Sequence, residues 1–177
     1  MTEFIHLPGI GNSGHTHWQS RWEDANPAIR RFAPTSWDQP DLSDWIDALD
    51  QAVRGAKTPP VLVAHSLACL LVAHWHQRAS SPIRGAFLAA VPDPLSSRFP
   101  ADAAGFADVP QAQLGFRSLI VASTNDPYGS LPYAETRAKQ WGSELKVIGA
   151  VGHINGQSDL GDWPEGLELL MDFASRA

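Results

Sequence analysis

Ser66, Asp126 and His153 each stand just after a short apolar run, and together they are the residue types that perform acyl transfer. A serine hydroxyl is a weak nucleophile until a base takes its proton, and an imidazole does this well only when a third group fixes its tautomer. The stretch PPVLVAHSLACLLVAHW, residues 59–75, passes from an apolar strand through His65-Ser66 directly into a helix-forming run. Such a turn is a nucleophile elbow, in which a serine is lifted above the carboxyl edge of a sheet. The usual pattern is G-x-S-x-G, whereas Ala64-His65-Ser66-Leu67-Ala68 has a methyl group at both glycine places. Asp126 lies in VASTNDPYGS, where Pro127 stops the preceding strand, and His153 lies in VIGAVGHINGQS between Gly152 and Gly156. Each has a plainer reading. Ser66 could cap the helix that begins at Leu67, Asp126 could be an ordinary Asp-Pro turn residue, and His153 could be a loop histidine bonded to backbone. Their order, Ser then Asp then His, with each at the end of an expected strand, favours the chemical reading.

Acyl transfer also needs N–H donors for a developing oxyanion. The backbone of Leu67, directly after the serine, is one candidate. The loop LPGIGNSGHTHW, residues 7–18, supplies the other through Ile10 or Gly11, its glycines allowing the chain to turn an N–H inward. A phosphate-cradling role for the same loop is disfavoured, because 29–35 contains no acid to hold a ribose. His15 and His17, and His74 and His76, are the close histidine pairs; neither is joined by a cysteine cluster or an H-E-x-x-H, so no metal is expected. His15 is a candidate for substrate contact or for packing at the helix start, and His65 packs beside the serine as a further candidate; the tryptophans are mostly expected in the core, with Trp37 a candidate for the mouth of the pocket.

The elements that must position these groups alternate in the manner of βα units around a parallel sheet. Apolar runs at roughly 3–7, 29–33, 60–64, 83–91, 117–122 and 144–149 read as strands. Leu42, Trp45, Ile46, Leu49 and Val53 follow the spacing of one helix face, with Pro40 and Asp41 as start signals. Further helices are marked by Trp18 with Trp22, by Leu67 to about Ala79, by Ala134, Ala138 and Trp141, and by Leu167, Leu170 and Met171 behind Pro164. The third strand and the helix after it are apolar on nearly every side, which places them centrally. Residues 92–116, with prolines at 92, 94, 100 and 110, show no sustained period and read as an excursion above the sheet.

Composition sets the outer limits. A chain of 177 residues fits one α/β domain over 1–177, with no repeat or linker dividing it. Thirteen Lys and Arg against nineteen Asp and Glu give a net charge of −6, and no basic run could follow a nucleic acid backbone. No apolar run reaches the roughly 18 residues of a membrane span. The single cysteine, Cys69, and an opening without a charged, apolar leader predict a reducing cytoplasm.

In the order of its motifs, the chain resembles the small serine hydrolases of the α/β-hydrolase superfamily, a group that includes the retinoblastoma-binding serine hydrolases and their bacterial relatives. The resemblance rests on PGIGNSGHTHWQSRWE, on Trp37 to Pro40 with Trp45 after it, on AHSLAC, on STNDPY and on GHINGQSDLGDWPEG. It implies a minimal α/β-hydrolase fold of about six mainly parallel strands with helices on both faces, and a triad of Ser66, Asp126 and His153. It also implies an oxyanion loop around Ile10 and Gly11. A retinoblastoma partner does not carry over, since the L-x-C-x-E pattern fails after Leu67 and Cys69. The expected activity is hydrolysis of a small carboxylic ester through an acyl-enzyme, without a cofactor, with amide or thioester substrates left open. A catalytically idle scaffold of the same fold, used for protein contact, is the alternative.

Overall fold

The computed structural model describes residues 2–78 and 81–177. Six parallel strands form one sheet: β1 (Phe4–Leu7), β2 (Arg30–Arg31), β3 (Val61–His65), β4 (Gly85–Ala89), β5 (Arg117–Ala122) and β6 (Glu144–Val147), in the order β2-β1-β3-β4-β5-β6. The chain leaves β1 in one direction to form β2 and returns to place β3 on the other side. Between β1 and β3 lies the switch point at which ligands bind in open α/β sheets, outside the carboxyl ends of the strands. In register, Leu7 pairs with Ala64 and His65 with Ala89, so the ends of β1, β3 and β4 are level.

Helices α2 (Leu42–Arg54), α3 (Leu67–His76) and α4 (Leu131–Trp141) cover one face, burying Trp45, Leu49, Trp75 and Trp141. The other face is closed by α1 (Trp18–Ala25) and α5 (Pro164–Arg176), around Trp18, Trp22, Trp163 and Phe173. Sandwiched between them, β3 and β4 have every residue buried. Asp41 caps α2 by accepting the Asp44 N–H, as its position before the apolar face predicts.

Boundaries differ from the sequence reading where local chemistry intervenes. β2 shrinks to two residues, and β4 stops at Ala89 because Ala90 takes a φ of 59°. For α3 the last helical residue is His76; the expected end at Ala79 falls outside the described residues. The excursion over 92–116 is more ordered than expected. A 3-10 turn at Ala101–Phe106 buries Ala103 and Phe106 completely, Phe106 stacking edge-on against Trp45 at 5.5 Å. Trp141 Nε1 donates to the Pro110 carbonyl, fastening the return limb. Only the first part of the segment, with Pro92, Phe99 and Pro100, reaches the space above Ser66.

Candidate active site

Ser66 begins α3 with φ 55° and ψ −125°, a conformation that L-residues rarely adopt. Backbone strain of this kind costs roughly 1–3 kcal/mol and persists only where the surroundings enforce it. Here the fully buried Ala64 and Ala68 flank the turn, and the Ser66 N–H continues the sheet by donating to the Ala89 carbonyl at 3.0 Å. Methyl groups in place of the two glycines therefore still permit the elbow. The capping reading fails on geometry, since the serine side chain makes no bond to the first turn of α3. Instead, Ser66 Oγ lies 2.8 Å from His153 Nε2.

Behind this contact, His153 Nδ1 is 2.9 Å from each carboxylate oxygen of Asp126. With the carboxylate accepting from Nδ1, the tautomer that fits this line leaves Nε2 as the acceptor facing the serine hydroxyl. Asp126 also accepts the Tyr128 N–H, and its side chain is only 2% exposed. Three residues separated by long stretches of chain thus form one hydrogen-bonded line from a buried carboxylate to a serine hydroxyl.

The loop carrying His153 is held from three directions. Asn125 Oδ1 accepts the Gly152 N–H at 2.7 Å, and Ser123 Oγ accepts that of Val151 at 3.0 Å. His65 Nε2 donates to the His153 carbonyl at 2.9 Å, and Trp18 Nε1 donates to that of Ile154 at 2.7 Å. Ile154 is fully buried with φ 49°, an outlier for a β-branched residue. Its strain is stabilised by these neighbours and fixes the direction in which His153 leaves the chain.

On the opposite side, Gly9 brings the β1 loop against the elbow. A Cβ at this position would lie 3.0 Å from Ser66 Cβ and 3.3 Å from the Leu67 nitrogen. Leu67 and Ile10 have N–H groups with no acceptor among the described residues. The Gly11 N–H does not belong with them. It donates to the Trp37 carbonyl at 2.9 Å, which removes Gly11 from the expected donor set.

A cavity of about 210 Å³ opens above Ser66, lined on its apolar side by Ile10, Leu67, Pro92 and Phe99 and on its polar side by His17, Tyr128 and Asn155. His65 belongs to its wall as expected, but His15 and Trp37 do not. A turn closed by the His17 N–H on the Gly14 carbonyl turns His15 out to solvent. Trp37 packs edge-on against Phe32 at 5.2 Å and Trp45 at 5.8 Å, where its ring joins the apolar layer under α2. His17 takes the inner place instead. Its Nδ1 accepts the Gln19 N–H, and burial, with Arg31 and His6 nearby, pushes its pKa down to about 3. Burial likewise holds His65 well below the ordinary imidazole range. Both rings are neutral walls. Cys69 is buried as a thiol, its pKa raised by burial and by Asp126, and donates to the Ala89 carbonyl. Sequence reasoning passed over Tyr128 and Asn155, although each lies two residues beyond an acid or base it had singled out; Phe99 carried no such signal.

The family model described as serine hydrolase matches residues 4–172. The chain belongs to the serine hydrolase family. A YdeN-like hydrolase from Pectobacterium atrosepticum has 32% sequence identity and a TM-score of 0.88, with 98% of this chain and 91% of that one covered. The ydeN gene product of Bacillus subtilis, at 18% identity and a TM-score of 0.73, covers 99% of this serine hydrolase and 100% of its own chain. An esterase from Rhodococcus, RhEst1, shares the fold at 11% identity and a TM-score of 0.69, over 98% and 90% of the two chains. With these neighbours the six-stranded parallel sheet is an α/β-hydrolase fold. No curated protein gives a significant match. Among the described residues no group of His, Cys, Asp or Glu could hold a metal ion, and no helix is long and apolar enough to cross a membrane.

Proposed function

We propose that this serine hydrolase cleaves a small carboxylic ester through an acyl-enzyme formed on Ser66. The observation that carries the reading is the unbroken line Ser66 Oγ, His153 Nε2, His153 Nδ1 and Asp126, at 2.8 Å and 2.9 Å, below a small half-enclosed cavity. Ser66 Oγ attacks the carbonyl carbon while His153 Nε2 takes its proton; the carbonyl π electrons move to oxygen, which the N–H groups of Leu67 and Ile10 stabilise. As the tetrahedral intermediate collapses, the ester C–O bond breaks and His153 returns the proton to the departing alkoxide. Water then repeats the sequence on the acyl-enzyme and frees the carboxylic acid. Asp126 holds the imidazole in the required tautomer and stabilises its cationic form.

Cavity size supports a short acyl group. A volume of about 210 Å³ lies below the usual range of roughly 300–1,000 Å³ for drug-sized ligand pockets.

Intact-protein mass spectrometry after incubation with a fluorophosphonate tests the reading. One adduct is expected on the folded wild type and none on Ser66→Ala or on denatured protein. Failure of the folded wild type to react would return the chain to the class of idle scaffolds.

A further inference from the structure

A second cavity, of about 380 Å³, adjoins the first on the His153 side, and the two share Tyr128, His153 and Asn155 as a common wall. In acyl transfer the group that receives the proton from the base must sit beside that base. Ser66 lines the first cavity and not the second, so the second can hold only the far part of a leaving alcohol that extends past His153. Its outer wall holds Arg98, Gln157 and Ser158. Arg98 is exposed and, among the described residues, makes no ion pair; its guanidinium donates no hydrogen bond either. Ser158 Oγ accepts the Asn155 N–H, and no described group accepts its own O–H.

Charge makes the placement informative. The chain carries 19 acidic and 13 basic residues, yet none of the residues lining either cavity is acidic. Asp126 is 2% exposed and engaged with His153. At this composition about two of the lining residues would be acidic on average. The one Lys or Arg in the two linings is Arg98, and its guanidinium has no partner among the described residues.

Resting on the hydrolase reading above, we propose that this second cavity is an alcohol-side subsite for an anionic group, with Arg98 as its specificity-determining residue and the Ser158 hydroxyl and Gln157 amide as auxiliary donors. The preferred substrates are esters whose leaving alcohol carries a carboxylate or comparable anion a few atoms from the ester oxygen. A planar guanidinium suits a carboxylate because two parallel N–H groups match its two oxygens.

The test compares 4-acetoxyphenylacetate with its neutral amide, 4-acetoxyphenylacetamide, which share an acetyl ester and differ only at the remote group. For wild type, Arg98→Gln and Arg98→Glu, kcat/KM is measured for both esters, and each value is divided by the rate constant for hydroxide hydrolysis of that ester. Circular dichroism establishes that each variant is folded. Wild type should favour the anion about threefold to fivefold at low salt, the scale of one exposed ion pair. The glutamine variant should bring the ratio close to one, the glutamate variant should invert it, and about 1 M salt should erase the wild-type preference. Turnover with the same ratio in all three proteins overturns the assignment of Arg98 while leaving the hydrolase reading standing. If wild type neither turns over the esters nor forms the Ser66 fluorophosphonate adduct, both readings fall together.

Discussion

The two sides of the Ser66 pocket are built by different means. On the β5–β6 side, the loops bearing Asp126 and His153 are joined by side-chain hydrogen bonds from Ser123 and Asn125, with His65 and Trp18 adding two more from behind. On the β1–β3 side there is almost no side-chain bonding at the serine: Gly9 lies against the elbow by close packing, and the Leu67 and Ile10 N–H groups stay without acceptors. The contrast fits the proposed mechanism, which asks a different task of each side. A ring that relays a proton has to keep one orientation, and directional bonds hold orientation. An oxyanion site has to keep donors unengaged, so its shape must come from backbone proximity.

Removing the reacting groups themselves should have the largest effect. Ser66→Ala and His153→Ala should each lower kcat by roughly 10⁴- to 10⁶-fold on a model ester, with folding intact. Retention of most activity by either would contradict the mechanism. Gly9→Ala probes the packed side: the added methyl meets Ser66 Cβ at 3.0 Å and the Leu67 nitrogen at 3.3 Å, so the donors must shift. Loss of one oxyanion donor costs about 10²- to 10³-fold in kcat, and steady-state kinetics should show a decrease at the lower end of that range. Fluorophosphonate labelling of this variant should slow in parallel. Unchanged kinetics would mean that Gly9 does not shape the donor site.

The same comparison explains what could be read from the sequence. That Ser66, Asp126 and His153 would meet was legible because chain order and strand ends are written in residue types. The stitched side was not, since Ser123 and Asn125 look like any polar turn, and Trp18 like any core aromatic. Gly11 was misassigned for a related reason. Three glycines mark a loop in which N–H groups can turn inward, but which one does depends on a carbonyl, that of Trp37, that arrives from a distant segment. His15 and His17 differ only in which side of one turn they occupy, and no periodicity encodes that. In the sheet, β3 and β4 were plain as continuous apolar runs, whereas β6, exposed along most of its length, met its register only through pairing with β5.

Burying three histidines has a thermodynamic consequence. Burial foremost holds His6, His17 and His65 below the ordinary imidazole range, His17 down to about 3. In the unfolded chain the same rings take up protons near pH 6.5. Below that pH the unfolded state binds more protons than the folded one, so stability is complete above about pH 7 and declines as the pH falls. Each ring contributes a slope of up to about 1.4 kcal/mol per pH unit. Thermal melts should be flat from pH 8 to 7 and descend between pH 6.5 and 5, before carboxylates begin to titrate. His17→Gln should make that descent shallower. A melting temperature constant from pH 7 to 5 would show that the buried rings are protonated alike in both states.

The smallest effect separates holding the fold from holding the base. Trp18 and Trp22 sit on the same helix, both buried, and each donates its indole N–H to a distant carbonyl: Trp18 to Ile154 at 2.7 Å, Trp22 to Asp162 at 2.6 Å. Replacing either with Phe keeps most of the apolar ring and deletes the donor, leaving a carbonyl without its partner, at a stability cost of about 1–3 kcal/mol. Denaturant melts should therefore place Trp18→Phe and Trp22→Phe close together. Kinetics should part them. Ile154 follows His153 in a strained backbone conformation, so releasing its carbonyl lets the imidazole drift from Ser66, whereas Asp162 lies nine residues after His153. A threefold to tenfold decrease in kcat for Trp18→Phe is expected, about the scale of one net hydrogen bond, with KM unchanged and with Trp22→Phe near wild type. Equal kcat in the two variants would mean that the elbow and Asp126 orient His153 without help from the first helix.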